Sequence, residues 1–176
     1  MTPSPHDPAE SRRRIPDAGF TGDNGAASAA VTAALAAYAA DRGRYPDALA
    51  ALQDARLLVP VVAVLGEVEH DAAGLAHDKT SDMAAVLLRG ADGRLALLAF
   101  TGTEAMRAWD PEARPVPVAT RLAAQAALQD DAAALVVDVA GPTTFVIEGD
   151  DLRGLAAGWT LARVGERAVW IGPAPE

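Results

Sequence analysis

The sequence has no cysteine, a single lysine and only 5% aromatic residues among 176. Without cysteine, the chain has no disulfide framework, no thiolate metal site and no cysteine nucleophile. It also lacks a long apolar segment, since uncharged runs such as 57–65 are far shorter than the roughly 20 residues that a membrane-spanning helix needs. No apolar segment follows the arginines near the start, which argues against a secretory signal. We therefore expect a cytoplasmic protein with no membrane partner.

Positive charge is also scarce, because 15 basic residues stand against 24 acidic ones and the formal net charge is −9. Nucleic acids and anionic membrane surfaces are bound through basic patches, so the charge balance argues against both as partners. Apolar residues make up 51% of the chain, which is enough to form a core and too much for a fully disordered protein.

The first 25 residues differ in composition from the rest of the chain. They are rich in proline, glycine, aspartate and serine, and Ile15 and Phe20 are their sizeable apolar groups. Such a segment buries too little apolar surface to offset the entropy that is lost on ordering. The sequence therefore predicts a disordered tail over 1–25 and a single domain over 26–176.

Alanine-rich stretches carry the helical signal. Larger apolar residues recur at helical spacing over 26–40, and Pro46 suits the first turn of a second helix. Another alanine-rich helix is predicted over 119–129, with Leu122 and Ala126 turned towards the core.

Runs of β-branched and apolar residues alternate with these helices. "RLLVPVVAVLG" (56–66) is typical of a strand, and Pro60 within it predicts an edge position or a bulge. Asp92-Gly93 between two apolar runs predicts an antiparallel hairpin. The pattern indicates an α/β (α+β) fold, in which a mixed β-sheet with an antiparallel hairpin is flanked by alanine-rich helices.

The segment "AFTGTEAMRAWDP" (99–111) joins the end of a strand to a short helix. Thr101 or Thr103 is predicted to cap this helix, which would start at Glu104. Trp109 is expected to face the core as a structural anchor. The alternative is an exposed aromatic patch that receives a peptide.

Chemically versatile side chains are concentrated in the polar stretch 66–82. His70 and His77 are seven residues apart in a predicted loop, which is not a helical spacing for metal ligands, so no metal site is expected. The sequence also shows no glycine-rich phosphate loop and no nucleophile with a positioned base. We therefore predict no catalytic residues, no cofactor and no enzymatic activity.

Five residues at predicted strand ends are the candidate binding residues. Lys79, Thr80 and Asp82 precede an apolar strand, and Thr101 and Asp138 follow two others. Loops and strand ends on a rigid sheet commonly carry recognition, which makes this set more plausible as a binding site than as a catalytic one.

Three segments, taken in their order, resemble the SseB N-terminal domain family: "ARLLVPVVA", "SDMAAVLLRGADGRLALLAFTGTEAMRAWDPEARPVPV" and "ALVVDVAGPTTFVIEGDDL". The resemblance covers roughly 45–160 and is specific only in the combination of these segments. The heavy use of alanine and arginine makes it look especially like the single-domain members from GC-rich actinobacteria. The resemblance implies a small cytoplasmic α/β domain without established catalytic residues.

Two functions follow from these observations. The first is a non-catalytic binding or regulatory module that holds an unknown protein or a small molecule, with homo-oligomerisation left open. The alternative is a small-metabolite sensor or an enzyme with a pocket near Lys79, Asp82, Thr101 and Asp138. A buried concave site that converges on those four residues would favour the alternative.

Overall fold

A computed structural model of the protein describes residues 20, 22–64, 82–164 and 167–172. The described helices are α1 (Ala29–Ala40), a short 3-10 helix (Arg42–Arg44), α2 (Tyr45–Gln53), α3 (Thr103–Trp109), α4 (Thr120–Gln129) and α5 (Gly149–Ala157). The described strands are β1 (Arg56–Val64), β2 (Asp82–Ala85), β3 (Leu87–Arg89), β4 (Leu95–Ala99), β5 (Arg114–Ala119), β6 (Ala134–Val137), β7 (Phe145–Glu148), β8 (Thr160–Val164) and β9 (Arg167–Ile171).

The strands form a mixed sheet, as predicted. Its two parts have the orders β2-β1-β5 and β3-β4-β6-β7, and a separate hairpin pairs β8 with β9. The two parts join where Val86 alone separates β2 from β3, and where Leu58 bridges to Phe100. Strands β4 and β6 are parallel, while β3–β4 and β6–β7 are antiparallel. The α+β class is therefore confirmed.

The predicted hairpin lies between β3 and β4. Leu87 pairs with Leu97 across the two strands, and the Gly93 N–H donates to the Gly90 carbonyl at 2.9 Å. Gly93 has φ +82°, a left-handed conformation that glycine adopts without a steric penalty. The Asp-Gly signal in the sequence therefore identified a real turn.

Pro60 predicted an edge position or a bulge, and the edge alternative is wrong, because β1 lies between β5 and β2. The pairing of β1 with β5 continues through Pro60 and Pro115 without a bulge. Leu58 exchanges two hydrogen bonds with Phe100, each 2.8 Å long. Two residues further on, the Pro60 carbonyl accepts a hydrogen bond from the Val86 N–H at 3.2 Å. Pro60, which has no N–H to donate, therefore lies where β1 changes partner from Phe100 to β2. The proline removes no hydrogen bond between the strands at that position.

Helices cover the two faces of the sheet unequally. Helices α1, α2, α4 and α5 pack on one face, where the main core includes Leu57, Leu97 and Phe145. Alternate residues of the same strands, Leu58 and Leu98, face the other side and pack against α3. Successive strand residues point to opposite faces, so each strand contributes to both clusters. The alanine-rich helices that were predicted to flank the sheet are present.

Helix α4 faces the core differently from the sequence prediction. Its buried residues are Thr120, Ala123, Ala124 and Ala127, whereas Leu122 is 46% exposed. Small side chains let the helix approach the sheet and α5 closely, and this closeness puts alanines in the interface. The inward orientation predicted for Leu122 is therefore wrong.

Within the described parts of the chain, no helix combines the length and the apolar character needed to cross a bilayer.

Candidate functional site

Thr101 and Asp138 form a buried pair at the carboxyl ends of two neighbouring parallel strands. The Thr101 N–H donates to Asp138 Oδ1 at 2.8 Å, and the Thr101 hydroxyl donates to Asp138 Oδ2 at 2.7 Å. Thr101 is 8% exposed and Asp138 is 5% exposed. Because β4 and β6 run parallel, the residues that follow them emerge side by side although they are 37 positions apart in sequence.

Asp138 is held in an unusual backbone conformation and an unusual electrostatic environment. Its φ is +55°, in the left-handed region that aspartate tolerates better than most residues. Burial raises the pKa of its carboxyl group above the ordinary value, and the two hydrogen bonds from Thr101 offset only part of that effect. The left-handed backbone and the raised pKa distinguish Asp138 from an ordinary surface aspartate.

The raised pKa of Asp138 predicts a definite dependence of stability on pH. A carboxyl group whose pKa is higher in the folded state favours folding most when it is protonated, so its contribution falls as the pH rises through the folded-state pKa. Asp138→Asn removes the titration but keeps an oxygen for the Thr101 N–H. Urea denaturation from about pH 4 to about pH 7 should show the wild type losing stability relative to this variant as the pH rises. A relative gain with rising pH would show that the pKa is lowered instead.

Arg56 contacts the same strand end from the first position of β1. Its guanidinium donates to the Thr101 carbonyl at 2.9 Å, to the Ala26 carbonyl at 2.8 Å and to Asp23 Oδ1 at 2.6 Å. The arginine side chain is 11% exposed and the aspartate side chain is 18% exposed. Desolvation acts to raise the pKa of Asp23, but the Gly25 N–H and the Arg56 guanidinium lower it below the ordinary value.

Residues 22–28, here called the N-terminal strap, lie across the turn between β4 and α3. The Thr103 N–H donates to the Gly25 carbonyl at 2.8 Å. A Cβ atom at Gly102 would lie only 2.8 Å from the Ala27 backbone nitrogen, so the close approach of the strap requires glycine there. The strap is therefore fitted to this turn by backbone contacts as well as by the ion pair with Arg56.

An open cleft of about 410 Å³ lies between the strap and the start of β1. Its walls include Asp23, Ala26 and Ser28 from the strap, together with Arg56 and Thr101. We call it the Arg56 cleft. Asp138 is not one of its lining residues and lies behind Thr101. A cleft of this volume falls within the range of small-ligand sites.

Of the five predicted binding residues, the structure describes Asp82, Thr101 and Asp138, and it brings only the last two of these three together. Thr101 and Asp138 are in direct contact, but Asp82 pairs with Val64, at the opposite end of β1 from Arg56. Eight residue-to-residue steps of extended strand separate the two ends, a distance of about 26 Å. Lys79 and Thr80 lie outside the described residues. The fold therefore does not bring Asp82 into one pocket with Thr101 and Asp138.

Neither Thr101 nor Thr103 caps α3, contrary to the sequence prediction that one of them would. The N-cap of α3 is Gly102, which has no side chain to accept a hydrogen bond, and the helix begins at Thr103. The hydroxyl of Thr101 is directed to Asp138 instead. Threonine after a strand suits either role, and only the position of the neighbouring parallel strand decides between them.

Residues 22–25 of the predicted tail are among those that the structure describes. Asp23 accepts a hydrogen bond from Arg56, and the Gly25 carbonyl accepts one from the Thr103 N–H, whereas 1–19 and 21 lie outside the described residues. The sequence prediction weighed apolar burial alone, and the strap is held by polar contacts. Sequence reasoning also missed Arg56, although a charged residue opening the apolar run "RLLVPVVAV" was a usable signal.

Trp109 packs on the face of the sheet that α3 covers. Its ring centroid lies 5.6 Å from that of Phe100, and it is partly buried beside the fully buried Met106. The ring packs against Phe100 as a structural anchor would, and its partial exposure leaves open the alternative of an aromatic patch that receives a peptide. The polar stretch 66–82 lies almost entirely outside the described residues. Among all the residues that the structure describes, no three His, Cys, Asp or Glu side chains are grouped to hold a metal ion.

Comparison with protein-family models gives one match. The model of the SseB protein N-terminal domain matches residues 31–154, which include β1, α3 and the Thr101–Asp138 pair. The match confirms the resemblance seen in the sequence. A search of the curated proteins and a search of the solved structures each found no significant match.

Proposed function

Because the chain belongs to the SseB protein N-terminal domain family, we propose that it is a non-catalytic binding or regulatory module that holds its ligand in the Arg56 cleft. The observation that carries this proposal is the hydrogen bonding of Asp138, whose two carboxylate oxygens both accept from Thr101. A general base must reach a proton of the substrate, and Asp138 instead fixes the wall of the cleft from behind.

The surroundings of the cleft support a holding role. Thr101 is fixed on one side by Asp138 and on the other by Arg56, so the cleft wall is positioned before any ligand arrives. Among the described residues, every fully buried side-chain nitrogen or oxygen has a hydrogen-bond partner. A satisfied polar network makes a rigid frame, and a rigid frame lowers the entropic penalty of binding. We also propose that the protein is cytoplasmic.

The alternative remains a small-metabolite sensor or an enzyme. Of the four residues assigned to its pocket, Lys79 lies outside the described residues, Thr101 and Asp138 are in contact, and Asp82 lies at the other end of β1 from Arg56. The alternative therefore depends on chemistry at that pair, and the two functions differ in whether a bound compound is transformed.

The test is a thermal-shift screen of a metabolite library against the full-length protein, followed by titration of each hit. A ligand of the cleft should raise the melting temperature and should be recovered chemically unchanged after long incubation with stoichiometric protein. Ala26→Trp, which places a large ring in the cleft without removing a side-chain hydrogen bond, should weaken binding at least tenfold.

Ala36→Trp is the matched control, because Ala36 is an exposed residue of α1 that does not line the cleft. It should bind the hits as the wild type does. Conversion of a hit into a product would favour the enzyme alternative, and hits that bind both variants equally would remove the cleft from the proposal.

A further inference from the structure

We infer that Arg56 is the receptor for a small carboxylate ligand, and that Asp23 of the N-terminal strap occupies this receptor as an internal competitor. The inference rests on the proposed function, since it names the ligand class and the regulation of the same cleft. Three observations support it: the hydrogen bonds that orient the Arg56 guanidinium, the position in the sequence of the aspartate that pairs with it, and the open cleft beside this ion pair.

The guanidinium of Arg56 is oriented before any acid binds. The carbonyls of Thr101 and Ala26 accept its hydrogen bonds at 2.9 and 2.8 Å and hold the side chain at 11% exposure. Two neutral carbonyls orient a cation without neutralising it. A guanidinium so largely removed from water favours a negative partner, and its planar fork matches a carboxylate.

Asp23 supplies that negative partner from outside the family-matched region. Arg56 and Thr101 lie within residues 31–154, whereas Asp23 precedes them. The aspartate engages Arg56 through one oxygen, Oδ1, which also accepts from the Gly25 N–H at 2.9 Å. An incoming carboxylate can instead accept two hydrogen bonds from a guanidinium, which is the stronger arrangement.

The space beside this ion pair suits a small acid. The cleft of about 410 Å³ is open, and both Asp23 and Arg56 line it. A ligand carboxylate that displaces Asp23 would keep the charge balance of Arg56 and would release the part of the strap that precedes Ala26, whose carbonyl stays hydrogen-bonded to Arg56. Because Asp23 is tethered, it competes at an effective concentration in the millimolar range and masks weaker free acids.

The experiment is a titration of the full-length wild type, Asp23→Asn and Asp23→Ala with sodium acetate and sodium succinate at constant ionic strength, followed by calorimetry and amide NMR. We expect at least tenfold tighter binding in both variants, because the competing charge is gone. Adding Arg56→Gln to Asp23→Asn should abolish the binding. In the wild type, saturating acid should also speed hydrogen exchange of the Thr103 amide, which the strap protects.

Asp47→Asn is the matched control, because it removes the ion pairs of Asp47 with Arg44 and Arg163 on another part of the surface. It should bind both acids as the wild type does. Equal affinity in the wild type and the Asp23 variants overturns the inference, as does equal binding of sodium sulfate. If neither acid binds any variant while hits of the metabolite screen still bind the cleft, this inference fails alone. If the screen also finds no cleft-dependent ligand, the proposed function fails with it.

Discussion

Replacing Trp109 with alanine is expected to lower the free energy of unfolding by about 3 kcal/mol. The ring lies against Phe100, in the small cluster that Leu58, Leu98 and Met106 complete beneath α3. Removing it takes away the largest side chain on that side of the sheet and leaves a cavity. The expected value is near the lower end of the range for tryptophan because the ring is partly exposed. Urea denaturation at neutral pH measures it.

Trp159→Ala serves as the control for Trp109→Ala. Trp159 is 42% exposed, so the same chemical change should alter the free energy of unfolding by less than about 1 kcal/mol. If Trp109→Ala keeps native stability but loses a ligand or partner, the tryptophan belongs to a binding surface and the anchor interpretation is wrong.

Asp138→Ala is expected to lower the free energy of unfolding by about 2–4 kcal/mol. It leaves the N–H and the hydroxyl of Thr101 buried without their acceptor. It also places alanine at φ +55°, where alanine lacks the short polar side chain that lets aspartate tolerate the left-handed region. Relief from burying an ionised carboxylate offsets part of this loss, since burial raises the pKa of Asp138.

Asp138→Asn separates hydrogen bonding from charge in that experiment. Asparagine accepts from the Thr101 N–H, donates to the Thr101 hydroxyl oxygen and tolerates the left-handed backbone, so the expected loss is under about 1 kcal/mol. Denaturation of both variants at neutral pH gives the comparison. Equal losses for alanine and asparagine would show that the negative charge, rather than the hydrogen-bond geometry, stabilises the strand end.

The secondary-structure elements and the fold class could be predicted from the sequence. Apolar residues at helical spacing located α1, and Pro46 located the start of α2. The Asp-Gly pair located the β3–β4 turn. These signals are local, because hydrogen bonds within a helix or a tight turn join residues only a few positions apart.

Residue orientation was harder to predict than element type. The sequence pattern favoured an inward Leu122, and an edge position or a bulge for β1, whereas Leu122 is exposed and β1 lies inside its sheet. The neighbours of α4 and β1 decide these features, and the apolar pattern of one segment does not specify which neighbours it will have.

The sequence by itself determined the family, the α+β class and the presence of Thr101 and Asp138 at strand ends. Only the tertiary structure decided that these two residues meet, that Arg56 joins them and that Asp23 neutralises Arg56. The physical reason is the range of the contacts: Thr101 and Asp138 are 37 residues apart, and Asp23 and Arg56 are 33 apart. Their proximity depends on β4 and β6 lying side by side in parallel and on the strap crossing the following turn, and neither arrangement leaves a periodic signal in the chain.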